Sequence, residues 1–124
     1  MKLMVDTNSV PFQAVDRREK YPGVGKVPEQ FRDVERIHYK FLGRDAKTGP
    51  WVYMVKFPAG HHIQKHSHAA DRVEYVLEGE IEFDGGVFGP GSFSYVTART
   101  EYEYDILKDT TILLIFYGVP GVIM

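Results

Sequence analysis

The 124-residue sequence contains no cysteine. That excludes disulfides and thiolate ligands and leaves histidine, aspartate, glutamate and tyrosine for any metal chemistry. An excess of one charge is also missing: 15 basic residues stand against 17 acidic ones, a formal net charge of −2. Composition therefore gives no reason to expect nucleic acid as a partner, and no charged tail is present. The longest apolar runs, such as 112–117, fall far short of the roughly 20 residues a membrane helix needs. The first residues carry one lysine and no apolar segment, so no secretory signal is expected. These absences predict a cytoplasmic protein that engages neither nucleic acid nor membrane. Helical periodicity is scarce too.

What is present is aromatic and rich in turns. Aromatic residues make up 14% of the chain, with 8 Tyr and 8 Phe, as sheet-forming sequences favour. The length suits one domain with a single core. Residues 1 to 30 carry Pro11, Pro22, Gly23, Gly25 and Pro28 with little periodicity, and read as an extended arm with a turn of helix near 29–34. Strand-like patterns follow at 34–42, 51–57, 61–68, 72–77, 81–83 and 92–96. Glu101-Tyr102-Glu103-Tyr104 alternates at period two, and 110–117 is a largely apolar run suited to a strand buried on both sides. Turn signals separate these runs at 44–50, Pro58-Ala59-Gly60, 77–80, Asp84-Gly85-Gly86 and Gly89-Pro90-Gly91. Short strands at this spacing predict an all-β jelly roll or barrel. The expected organisation is an N-terminal arm, 1–33, and a β-barrel domain, 34–124.

The most informative stretch is Gly60-His61-His62-Ile63-Gln64-Lys65-His66-Ser67-His68, followed by Glu74 and Gly79. Residues i and i+2 of a strand point to one face, so His66 and His68 can converge. Two histidines and a carboxylate on one face of a metal, with positions left open, is the donor set of non-haem Fe(II) oxygenases. Read without that context, His66 and His68 would be ordinary strand histidines and Glu74 the partner of Arg72 or Lys65. By the same parity His62 shares the face of His66, and His61 is expected at the surface.

These residues resemble the first motif of the cupins: Gly60, His66, His68 and Gly79, set in Tyr75-Val76-Leu77-Glu78-Gly79-Glu80. Gly86 through Gly91-Ser92 and 93–96 are similar to the second motif, and the resemblance spans roughly 51–117. The wording of Trp51-Val52-Tyr53, Phe57-Pro58-Ala59-Gly60 and Tyr117-Gly118, with the Asn8-Ser9-Val10-Pro11-Phe12 arm, is similar to one subgroup. It contains acetylacetone- and dihydroxyacetophenone-cleaving dioxygenases and the cupin domain of zinc-binding anti-sigma factors. The sequence departs from the pattern twice. Arg72 stands where spacing puts the family's glutamate, with Glu74 two residues on, and Tyr102 stands in place of the second-motif histidine.

The resemblance implies a cupin-type jelly-roll barrel with His66, His68 and Glu74 as metal ligands. Fe(II) is the expected ion, with zinc, manganese or nickel as alternatives. Arg72 and Tyr102 are the candidate catalytic groups, set to steady a developing enolate. Asp71 is a lesser ligand candidate, and Trp51, Tyr53, Phe83 and Phe93 are expected to line an apolar cavity. The implied activity is oxidative cleavage of a C–C bond in a small diketone or hydroxy-aromatic ketone. The alternatives are a non-catalytic cupin that binds a ligand or zinc, or a metal-free small-molecule binder. The arm and the apolar stretch 119–124 suggest a homodimer with exchanged strands.

Overall fold

The computed structural model describes residues 2–21, 24–43 and 50–124. Nearly all of the turn expected at 44–50 lies outside them, as do Pro22 and Gly23. The chain is built from eight strands: β1 (Gln13–Ala14), β2 (His38–Phe41), β3 (Trp51–Phe57), β4 (His62–His66), β5 (Arg72–Phe83), β6 (Gly86–Phe88), β7 (Phe93–Val96) and β8 (Tyr102–Phe116). Two single 3-10 turns, Thr7–Ser9 and Val34–Arg36, are the only helical pieces among the described residues.

All strand pairs are antiparallel, in the order β1-β2-β3-β8-β5-β6, with β4 also on β8 and β7 on β5. The sheet folds over itself as a jelly roll does, but the pairing does not close into a barrel. Strand β8 is the spine. Its second half is hydrogen-bonded to β3 on one edge and β5 on the other, and every residue from 110 to 116 is buried or half-buried, so both faces are covered and the stretch is apolar rather than alternating. Its first half pairs with β4 and carries Tyr102 towards His66.

Alternation along β3 sends Trp51, Tyr53, Val55 and Phe57 inward. They meet Ile63, Val76, Ile81, Tyr104, Ile106, Ile112 and Phe116 in one core cluster. The hairpin between β5 and β6 is the one its sequence demands. Asp84 (φ 50°) and Gly85 (φ 80°) form a two-residue turn with Phe83 opposite Gly86, the geometry that Asp-Gly favours.

Three local expectations are corrected. The stretch 77–80 is no turn: β5 runs straight through it, and Gly79 (φ +97°) marks a bulge where the register against β8 shifts. The strand expected from Val34 starts only at His38. His61 is buried while His62 is exposed, because a register shift between Ile63 and His66 breaks the parity on which the opposite assignment rested.

The arm pairs through Gln13–Ala14 with β2. Arg17 holds it down, bonding Glu35 at 3.0 Å and the carbonyls of Pro28 and Phe31. The stretch after Gly118 also folds onto its own chain. Ser67 and Ile123 exchange backbone hydrogen bonds of 2.9 and 2.8 Å, and the Ala69 N–H donates to the Pro120 carbonyl.

Candidate metal and ligand site

The site is assembled where β4 ends, β5 and β8 begin, and 119–124 folds back. Ser67 pairs through its backbone with Ile123, and its neighbours His66 and His68 point together to one side. Their Nε2 atoms are 3.1 Å apart. His66 Nδ1 lies 2.7 Å from the Gln64 carbonyl and His68 Nδ1 2.5 Å from the Gly121 carbonyl. A carbonyl only accepts, so each Nδ1 carries the ring proton and each Nε2 is unprotonated and keeps its lone pair.

Two such lone pairs at that distance repel unless a cation lies between them. Nitrogen ligands about 2.0–2.1 Å from one ion sit ~2.9–3.4 Å apart for angles between square and tetrahedral. The observed separation falls inside that window, so this donor pair fits a divalent ion.

Electrostatics keep both rings neutral. Burial lowers the pKa of His66, and burial followed by the Arg72 charge holds His68 at about 3. The Tyr102 hydroxyl donates to His66 Nε2 at 2.8 Å, and burial raises its pKa, so it is a phenol. Behind the rings, buried Arg72 donates from Nε to Glu74 Oε1 at 2.7 Å, and Ser94 Oγ donates to Glu74 Oε2 at 3.3 Å. The guanidinium lies over the Tyr102 ring, 4.3 Å from its centroid, a favourable stack in a desolvated place.

A cavity of about 220 Å³ is lined by these polar groups and by apolar walls that include Phe31, Val55, Phe57 and Leu114. Phe31, from the arm side, stands edge-on to His66 with centroids 4.8 Å apart. A second cavity, about 420 Å³, shares Glu74, Tyr102 and Tyr104 with the first and is bordered by Phe83, Phe88 and Phe93.

The structure thus brings His66, His68 and Tyr102 together, with Arg72 against Tyr102. Glu74 is the exception: its carboxylate is committed to Arg72 and Ser94. No group of three His, Asp or Glu side chains among the described residues could hold a metal. Asp71 is no ligand either, since it accepts from the Ala98 N–H and the Tyr95 hydroxyl. Of the aromatic residues expected in a cavity, Tyr53 lines the first, Phe83 and Phe93 line the second, and Trp51 is core. Sequence reasoning did not find the Gln64 and Gly121 carbonyls, because a backbone acceptor leaves no trace in residue type. Phe31 was equally hidden, in a stretch without periodicity.

Residues 29–119 match the profile of a family described as the ChrR cupin-like domain. Solved structures share the fold. A candidate acetylacetone dioxygenase from Methylibium petroleiphilum PM1 aligns with a TM-score of 0.69 at 16% identity, over 95% of this chain and 78% of that one. An RmlC-like cupin from Ralstonia eutropha JMP134 aligns at 0.70 and 19% identity, over 95% and 69%. The Rhodobacter sphaeroides complex of SigE with the anti-sigma ChrR aligns at 0.56 and 17% identity, over 64% and 44%. No curated protein matches the chain in sequence.

Proposed function

The chain belongs to the ChrR cupin-like family, and from that footing we propose that it is a small metal-dependent cupin acting on a compact, mostly apolar, oxygen-bearing molecule. The reaction we favour is dioxygenase-like cleavage of a C–C bond in a diketone or hydroxy-aromatic ketone, with iron as the ion. One observation carries the reading: two imidazoles with their Nδ1 atoms pinned on carbonyls bring unprotonated Nε2 atoms within 3.1 Å of each other beside an apolar cavity.

His66 and His68 would hold the ion. Glu74 could join them only by giving up Arg72 or swinging about it. A bound divalent ion supplies Lewis-acid polarisation and a fixed place for the reactants. The chain itself does the rest. The Tyr102 hydroxyl, which bonds His66 Nε2 here, would be released by an ion on that nitrogen to donate to a ligand oxygen, while Phe31, Phe57 and Leu114 exclude water.

The engagement of Glu74 by Arg72 favours a second reading, a non-catalytic cupin that binds zinc or a ligand. The likeness in fold to the anti-sigma ChrR is in keeping with it. Elemental analysis of the purified protein beside a His66→Ala/His68→Ala variant tests both. Near-stoichiometric metal that disappears in the variant is expected, and iron leads to oxygen-consumption assays with β-diketones. Bound zinc without turnover selects the second reading. Metal in neither protein, even after anaerobic reconstitution, sinks the dioxygenase and leaves a ligand-binding cupin.

A further inference from the structure

Among the described residues, one buried side-chain nitrogen or oxygen has no hydrogen-bond partner: Nη2 of Arg72. The residue is 1% exposed and lines the 220 Å³ cavity beside the two histidines. An unpartnered donor in such a place is costly, the more so when charged, so something is missing from its surroundings. Its pairing with Glu74 is recorded through Nε alone, at 2.7 Å, although a guanidinium can offer a carboxylate two parallel donors.

The charge balance points the same way. Arg72 and Glu74 pair as opposite charges, and the other polar side chains lining the cavity are histidines and tyrosines, residue types that bring no negative charge at neutral pH. A divalent ion on His66 and His68 therefore receives no compensating charge from the groups around it. In a desolvated site that deficit is severe, and an anionic ligand would cure it. The remaining walls are apolar, so the ligand's body must be apolar too.

We infer that the cavity takes a small apolar monocarboxylate, its carboxylate set against the unpartnered end of Arg72 and its body among Phe31, Val55 and Leu114. The charge argument rests on the metal reading; the contact with Arg72 does not. Carboxylate and metal then bind cooperatively, each tightening the other by the same factor.

Co(II) titrated into the metal-stripped protein, followed by its visible spectrum, tests this with benzoate as the carboxylate and benzamide as its neutral isostere. Benzoate is expected to tighten Co(II) binding at least tenfold and benzamide to leave it unchanged. The benzoate effect should vanish in Arg72→Gln/Glu74→Gln, which removes both charges together and so leaves no buried carboxylate unpaired. Arg72→Lys, which keeps the charge but loses the fork, should retain part of it. Co(II) binding that benzoate leaves unchanged, or strengthens equally in the double variant, overturns the inference and leaves the metal reading standing. If Co(II) does not bind, the metal reading falls and benzoate titrated into the metal-free protein decides. Saturable binding lost in the double variant upholds the carboxylate site, and no binding overturns it.

Discussion

Tyr102 occupies the place where the cupin pattern puts a third imidazole, and its hydroxyl reaches the same nitrogen that His66 would give to an ion. Removing it in Tyr102→Phe should strengthen Co(II) or Zn(II) affinity by roughly fivefold, because the ion no longer displaces a hydrogen bond of about 1 kcal/mol from that lone pair. Tyr102→His should tighten affinity beyond wild type by adding a third nitrogen, and competition titration with a chelating dye measures both. A second residue-scale prediction concerns His61, buried and stacked on Phe57 with ring centroids 5.9 Å apart. Burial lowers its pKa below the ordinary 6.5. The unfolded chain therefore takes up the proton first as pH falls, so this contribution to stability is complete above the ordinary value and is lost on acidification below it. Urea midpoints measured from about pH 8 to 5 should fall less steeply in His61→Phe than in wild type. The pairing of His66 with His68 was legible in the sequence because i, i+2 parity needs only an unbroken strand. The places of His61 and His62 were not, because the irregularity between Ile63 and His66 is set by pairing with β8.

At the scale of the element, β5 shows why a glycine alone does not reveal its task. Gly79 has φ +97°, and a Cβ there would meet the Asp109 carbonyl at 2.5 Å and crowd Thr110. Gly91 has φ +90° but open space, its nearest neighbour being the Tyr75 hydroxyl at 3.9 Å. Gly91→Ala should therefore cost about 1–2 kcal/mol from backbone strain alone. Gly79→Ala should cost ~3 kcal/mol or more, because overpacking against fixed backbone adds to the strain. Equilibrium urea denaturation of the two variants separates the terms, and equal losses would show that packing at the bulge is slack. From sequence, Gly79 marked a departure from extended geometry, but a reversal and a bulge both need such a residue. Only the partner strand decides between them. The Asp84-Gly85 hairpin was readable because its chemistry is local, and the apolar run in β8 because a strand covered on both faces has no polar alternation.

For the whole molecule, the fold class was legible and its closure was not: short strands and turns specify a jelly roll, while the open pairing depends on contacts far apart in sequence. The stretch 119–124 binds Ser67, Ala69 and His68. Ending the chain at Pro120 should leave the fold intact by circular dichroism, since β8 ends at Phe116. It should nevertheless weaken metal binding by roughly 10- to 100-fold, because His68 loses the carbonyl that fixes its tautomer. Unchanged affinity would mean that the 67–71 loop positions the imidazole unaided. The tie between Gly121 and His68 also has a genetic reading. A nonsense change in codons 119 to 121, though 51 or more positions downstream of His68, would be inherited as a lesion of the histidine pair.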